Sequence, residues 1–157
     1  MNGQTNYEAR ANLMWASSWA INGFVVGGKK QQWSCHKLEH ELSAYYDITH
    51  GLGLAILTPQ WMRYCLSEKT VSKYVQFGVN VMGIDASLEP MDIANQAIDK
   101  LADFFKNTLG LASTLTEIGI DDSKFEIMAR KSVKNSVVNG FIPLREADAL
   151  EIFKMCK

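Results

Sequence analysis

Cysteine is scarce in this 157-residue sequence, and its arrangement excludes a disulfide framework. The three cysteines, Cys35, Cys65 and Cys156, are odd in number and show no CxxC spacing. Small secreted domains that depend on disulfides carry an even number of cysteines at regular spacings. Met1 leads directly into polar residues, so no signal peptide is recognisable. We therefore expect free thiols and a cytoplasmic protein.

An excess of either charge is also absent, as is any long apolar run. The sequence has 16 basic and 17 acidic residues, for a formal net charge of −1. Nucleic-acid binding proteins show a basic footprint and membrane-surface proteins a polybasic run, so neither partner is expected. No apolar run approaches the roughly 20 residues of a membrane span. We expect one compact domain over residues 1–157, with a small molecule as its partner.

The glycine patterns that hold nucleotide phosphates are missing. Neither GxGxxG nor a P-loop occurs, and no repeat of 20 to 50 residues is visible. These patterns allow the backbone N–H groups to approach phosphate oxygens closely. We therefore do not expect the dinucleotide-binding unit that they mark within these residues.

Apolar residues recur at helical spacing along most of the chain, which predicts an all-α helical bundle. Six or more helices and essentially no sheet are expected. Proline has no backbone N–H and cannot make the hydrogen bond to the carbonyl four residues earlier that a helix requires. Pro59 is therefore expected to bend or interrupt its segment. A polar loop is predicted over residues 27–32. The predicted helical segments are 7–23, 35–46 after a cap at Ser34, 50–65, 69–82, 89–109, 115–119, the stretch after Asp121 and Asp122, and the stretch after Pro143. A strand is the alternative for 69–82, because β-branched residues are frequent there.

Two of these segments have clear inward faces. Asn6 is suited to cap the first helix, whose small side chains permit close packing. The acidic pair Asp121 and Asp122 complements the dipole at the start of a later helix. The predicted inward residues are Ala9, Leu13, Ala16 and Ala20 in the first helix, and Phe125, Met128, Ala129 and Val133 in the later one.

All three histidines lie within residues 33–57, WSCHKLEHELSAYYDITHGLGLAIL. Ser34 can cap a helix in which His36 and His40, four residues apart, share one face. Thr49 can cap a second helix that begins at His50. The connection between the two helices is short, so the third imidazole should return towards the first two.

This spacing predicts a metal site, because neutral imidazole is the commonest nitrogen ligand of transition metals in proteins. The alternative is a set of half-buried polar histidines without a metal. Glu39 and Glu41 can orient the imidazoles as hydrogen-bond acceptors, although an exposed helical carboxylate is the more common outcome.

The run HKLEHELSAYYDITHGLGLAILTPQWMRY resembles the C-terminal part of the iron-dependent alcohol dehydrogenases. It is most similar to the butanol dehydrogenase branch, with a segment of the form HxxEHELSAxYDIxHGxGLAIxxPxWM. The resemblance continues through NYEARANLMWASSWAING upstream and through YVQFGVNVMGID to LEIFK downstream. It implies the all-helical, metal-binding C-terminal domain of the dehydroquinate synthase-like fold. Family members are more than twice this long and begin with an α/β domain that binds the nicotinamide cofactor, which we expect to be absent here.

The resemblance also implies residue roles. His36 and His50 would be ligands of a divalent metal, iron or zinc, and an aspartate and a histidine from a preceding helix would complete the shell. His40 would be a catalytic residue near nicotinamide and substrate. The implied reaction is reversible hydride transfer between a primary alcohol or its aldehyde and NAD(P). NAD(P) would bind only with the N-terminal α/β domain or a partner chain, so the chain alone is expected to be inactive. It is also expected to self-associate as a homo-oligomer, because the surface that meets the α/β domain in the family would be exposed.

Two other functions fit some of the same residues. His36, Glu39 and His40 match the inverzincin HxxEH pattern, in which both histidines bind zinc and the glutamate activates water for peptide hydrolysis. That function needs a third, acidic ligand, for which Glu117 is one candidate, and it leaves His50 without a role. The chain could instead be a non-catalytic helical oligomerisation module.

Overall fold

The structure is a computed structural model that describes residues 6–28, 32–134 and 136–157. Within these ranges it contains seven α-helices and no named strand, which confirms the all-α prediction. Residues 29–31 of the predicted polar loop lie outside the described residues. The helices are α1 (Tyr7–Ile21), α2 (Ser34–Tyr46), α3 (His50–Cys65), α4 (Val71–Asn80), α5 (Pro90–Asp103), α6 (Phe125–Val133) and α7 (Glu146–Met155).

Three shorter elements join these helices. Single 3-10 turns occupy Phe24–Val26 and Thr116–Ile118, and a π-helical segment, Phe104–Thr108, continues α5. An isolated antiparallel bridge joins Val138 to Leu144. No helix among the described residues has the length and apolar character needed to cross a membrane.

The chain divides into two compact units, Met1–Gln32 and Trp33–Lys157. The first contains α1 and the first 3-10 turn, and the second contains α2 to α7. All three histidines belong to the second unit. The organisation of residues 1–157 as a single domain stays a prediction.

The first unit begins with the predicted cap. The Asn6 side-chain oxygen accepts the backbone N–H of Ala9 at 3.1 Å, which satisfies a donor that the first turn leaves free. Trp19 contacts Trp15 and Phe24 edge to face, with ring centroids 5.5 and 4.7 Å apart. No residue of α1 is buried, so the predicted close packing of its small side chains is not found within this unit. The described residues of this unit hold only one further element, the 3-10 turn Phe24–Val26, and so offer little surface for α1 to pack against.

The core of the second unit lies among α2, α3, α6 and α7. Burial of each large apolar side chain contributes about 1.5–3 kcal/mol relative to its exposed state. The predicted inward face of α6 is confirmed, because Phe125, Met128, Ala129 and Val133 are all buried. The largest fully buried side chains of this core are Leu38, Leu42, Ile56, Leu57, Leu115, Phe125, Met128, Leu144, Ile152 and Phe153.

Helix α3 continues through Pro59, so the prediction of an interruption is wrong. An interior proline removes one helical hydrogen bond and costs roughly 3 kcal/mol. Here α3 packs against α2, α5 and α7, and the proline itself is buried, so tertiary contacts outweigh that cost. Thr49 occupies the predicted cap position but its side chain makes no capping bond, and Ser34 is the first residue of α2 rather than its cap.

All three cysteines are free, as predicted, and all three are also buried. Burial raises the pKa of the Cys65 thiol to about 12, and it also raises the pKa of Cys156. Because the thiolate is the reactive form, both side chains act as small apolar residues at neutral pH.

A hydrogen bond between side chains joins α3 to α7. The Tyr64 hydroxyl donates to Asp148 Oδ1 at 2.5 Å, while Asp148 Oδ2 accepts the Arg145 backbone N–H at 2.6 Å at the start of α7. The Asp148 hydrogen bond and partial burial raise the pKa of Tyr64 to about 12. One carboxylate therefore both caps α7 and fixes its distance from α3.

Tyr64→Phe is expected to lower the free energy of unfolding by about 1 kcal/mol at neutral pH, because one hydrogen bond is lost. An unfolded tyrosine has a pKa near 10. Since the folded pKa is raised, the contribution of Tyr64 is complete below about pH 10 and is lost as the pH rises towards 12.

Urea unfolding of the wild type and Tyr64→Phe from pH 7 to 11.5 measures this difference. Tyr7→Phe, at a tyrosine that is 78% exposed, is the control and should unfold like the wild type at each pH. A difference between wild type and Tyr64→Phe that grows above pH 10 would contradict the prediction.

Candidate metal centre

The three imidazole rings form a triangle between α2 and α3. The ring centroids of His36 and His50 are 5.4 Å apart, those of His40 and His50 are 5.5 Å apart, and those of His36 and His40 are 6.5 Å apart. His50 is thus the ring close to both of the others. The predicted return of His50 towards the first two histidines is correct.

A tight reversal between α2 and α3 produces this arrangement. Asp47 ends α2 in the left-handed conformation, with φ of 51°, and its N–H donates to the Ser43 carbonyl oxygen at 3.0 Å. Aspartate adopts this conformation more readily than most residues, because its short side chain bonds locally. His50 therefore begins α3 beside the helix that it has just left.

Glu39 is fully buried beneath the triangle, with no exposed surface. Its Oε1 atom accepts the Ser43 hydroxyl at 2.5 Å, and its Oε2 atom is paired with Nδ1 of His50. Exposure to solvent, the more common outcome for a helical carboxylate, is therefore not found for Glu39. Leu38 and Leu42 mark the buried side of α2, but Glu39 and Glu41 flank that side equally, so helical spacing does not indicate which of the two carboxylates is buried.

Gly53, which is not among the residues predicted for the site, provides the space for that carboxylate. A Cβ atom at Gly53 would lie 2.6 Å from Glu39 Oε1 and 2.8 Å from Glu39 Cγ. The signal in the sequence was Gly51-x-Gly53 inside an apolar helix, since glycine in a helix interior often marks a close approach. Gly51 itself has no atom within 4 Å of an added Cβ.

The environment keeps His36 neutral. Partial burial lowers its pKa, and the neighbouring His50 and His40 lower it further, while Glu39 opposes the shift. Trp33 packs edge to face against this ring, with centroids 4.5 Å apart. At neutral pH His36 therefore carries a free nitrogen lone pair, which metal binding requires.

The donor set fits a divalent transition metal. Ligand atoms of Glu39, His40 and His50 lie within 4.8 Å of one another. Imidazoles that bind one ion through nitrogens about 2 Å away have centroids roughly 5 Å apart. The pairs His36–His50 and His40–His50 both approach that separation. The choice of His36 and His50 as ligands, with His40 as the catalytic residue, stays a prediction.

The geometry does not support the inverzincin arrangement. A glutamate that activates water must reach solvent, whereas Glu39 is fully buried and both of its oxygens are already bonded. The proposed third ligand, Glu117, is exposed and accepts the backbone N–H of Ser113 at 2.8 Å. It is not a member of the histidine cluster.

The described residues of the second unit thus form a helical bundle that gathers three imidazoles between two consecutive helices. The sequence profile described as the Fe-containing alcohol dehydrogenase family, C-terminal, matches residues 1–156. The chain therefore belongs to the Fe-containing alcohol dehydrogenase family, which confirms the resemblance noted from the sequence.

Similar proteins support this membership. NADH-dependent butanol dehydrogenase B of Clostridium acetobutylicum is 56% identical over 151 residues, 95% of this chain and 39% of the relative. The NADPH-dependent aldehyde reductase YqhD of Escherichia coli is 33% identical over 126 residues, 80% of this chain and 32% of the relative. The crystal structure of NADH-dependent butanol dehydrogenase A from Thermotoga maritima superposes with a TM-score of 0.84 and 31% identity, covering 96% of this chain and 39% of that one.

Gly53→Ala is expected to destabilise the protein by about 1–3 kcal/mol, because the new methyl group overlaps a buried carboxylate that has no room to move. Thermal unfolding should shift down by about 2–4 °C per kcal/mol. Gly51→Ala, two positions earlier in the same helix, is the matched control and should be neutral or slightly stabilising. Equal melting temperatures for the two variants would show that Gly53 is not a close contact of Glu39.

Proposed function

We propose that this chain is the C-terminal, metal-binding part of an NAD(P)-linked alcohol dehydrogenase that interconverts primary alcohols and aldehydes. The observation that carries the proposal is the meeting of His36, His40 and His50 between α2 and α3, in a member of the Fe-containing alcohol dehydrogenase family. The 56% identity to a protein named NADH-dependent butanol dehydrogenase favours short primary alcohols as substrates. Since the chain spans 39% of that relative, the complete activity also needs residues outside those described here.

His36 and His50 would hold a divalent metal, iron or zinc. His36 is neutral and half-buried, and His50 has its Nδ1 atom directed to Glu39, which leaves Nε2 for a ligand bond. When bound, such a metal polarises the oxygen of an alcohol or aldehyde, and a nicotinamide supplies or accepts the hydride.

His40 is the proposed catalytic residue. It is exposed, lies one turn after His36 on the same helix, and has its ring 5.5 Å from that of His50. A histidine in this position can hold or relay a proton next to a substrate oxygen at neutral pH. It needs no metal bond for that role.

The nicotinamide would be held by an α/β domain or a partner chain, because no phosphate-binding glycine pattern occurs in the sequence. Exposed apolar side chains, among them Leu13, Met14, Trp15 and Phe24, support a further proposal of contact with another domain or another copy of the chain. Three free thiols support a cytoplasmic location.

A zinc titration of single alanine variants separates the candidate functions. The dehydrogenase site requires His36 and His50, so these two variants should lose most of the affinity. His40→Ala should retain it. An inverzincin would instead require His36 and His40, and an oligomerisation module would bind equally with or without each histidine. Calorimetry, or displacement of Co²⁺ followed by absorbance, measures the affinities. Retained affinity in both His36→Ala and His50→Ala would refute the ligand assignment.

Activity is expected only when the cofactor-binding part is supplied. Hydride transfer needs the nicotinamide and substrate held close together, and positioning provides much of the rate. Butyraldehyde should be reduced with NADH or NADPH, in the presence of iron or zinc, when the chain is co-expressed with the N-terminal half of a related dehydrogenase. His36→Ala and His50→Ala are the control variants, and each should abolish that activity in the co-expressed mixture. Turnover by the 157-residue chain alone would overturn the expectation.

A further inference from the structure

We propose that Glu39 is a positioning residue: it sets the tautomer and the direction of the His50 ring, so that Nε2 is the atom His50 presents to a metal. The inference rests on the proposed function, because it takes His50 as a metal ligand. It assigns to Glu39 a role that acts through His50 rather than as a ligand itself.

The first support is the contact between the two side chains. Glu39 Oε2 is paired with Nδ1 of His50, and no other hydrogen bond of the His50 ring occurs within the described residues. A carboxylate accepts and does not donate, so Nδ1 must carry the proton. The remaining nitrogen, Nε2, then has a free lone pair.

The second support is the confinement of the carboxylate. Ser43 Oγ lies 2.5 Å from Glu39 Oε1, and Gly53 lies against the other side, where a Cβ would be only 2.6 Å from the same oxygen. With no exposed surface and both oxygens bonded, Glu39 cannot turn towards an ion without breaking these contacts. This distinguishes a positioning residue from a fourth ligand.

The third support is that the His50 ring could rotate if Glu39 did not hold it. Its side chain is 48% exposed and lies at the first residue of α3, so packing covers only about half of the side chain. Partners of this kind fix the orientation of metal-binding histidines, and their loss typically lowers metal affinity 10- to 100-fold.

Glu41 offers a matched control two residues along the same helix. It is half-buried and lies in a surface pocket with Arg130, Lys131 and Lys134 rather than beneath the imidazoles. Replacing either glutamate by glutamine removes the same charge from α2. A general electrostatic effect would therefore lower the metal affinity of both variants, whereas loss of His50 positioning would lower it only in Glu39→Gln.

The test is a zinc titration of the wild type, Glu39→Gln, Glu41→Gln, His50→Ala and the double variant Glu39→Gln/His50→Ala. Glu39→Gln should lower the affinity about 10- to 100-fold. Glu41→Gln should stay within about twofold of the wild type. In the His50→Ala background, Glu39→Gln should cause no further loss, because a residue that acts through His50 has nothing to position there.

A second readout needs no metal. In the metal-free wild type, ¹⁵N chemical shifts of His50 should show the proton on Nδ1. Glu39→Met, which fills a similar volume without any acceptor, should lose that preference. If the Glu39 variants do not fold, Ser43→Ala removes the donor that holds Oε1 and should lower zinc affinity in the wild-type but not the His50→Ala background.

The outcomes separate this inference from the proposed function. Equal losses from Glu39→Gln with and without His50 would show that Glu39 binds the metal directly, which overturns the positioning role. Unchanged affinity in Glu39→Gln, with a large loss in His50→Ala, overturns it while leaving the proposed ligand in place. Unchanged affinity in His50→Ala would instead refute the ligand assignment on which both depend.

Discussion

The burial of one carboxylate between α2 and α3 is the constraint on which the candidate site depends. Removing a charged group from water costs several kcal/mol unless hydrogen bonds replace its hydration. For Glu39 those bonds come from Ser43, one turn later on α2, and from His50 at the start of α3. Gly53 must also lack a side chain for the carboxylate to fit. The buried Glu39 carboxylate thereby links the position of Ser43 on α2 to the positions of His50 and Gly53 on α3.

The apolar core holds this helix pair while leaving histidines of the candidate site accessible. Leu38 and Leu42 of α2 and Leu57 of α3 are fully buried in the same cluster as the inward faces of α6 and α7. His40 and His50, in contrast, are exposed to solvent. The contrast is physically useful, because a metal or substrate needs access to the imidazole nitrogens while the supporting contacts need a rigid, dry setting.

Much of the local structure could be predicted from single residues and their spacing. Histidines four apart and a short connection placed three imidazoles together, and the periodicity of residues 125–133 identified the buried face of α6. Predictions that depended on what a segment packs against were less successful. The small residues of α1 are not buried, and Pro59 lies inside a continuous helix because neighbouring helices support it.

The helical class, the helix that aligns His36 with His40 and the turn that returns His50 are all predictable from the residues alone, because each depends on contacts within a few positions. The family resemblance also follows from the sequence. The burial of Glu39 beneath the imidazoles, rather than of Glu41, follows instead from the packing of the folded chain. Both are glutamates on the same helix, one residue either side of His40. Which of them is buried depends on the rotation of α2 against α3 and on the missing side chain of Gly53, and these are long-range packing relations that local spacing does not encode.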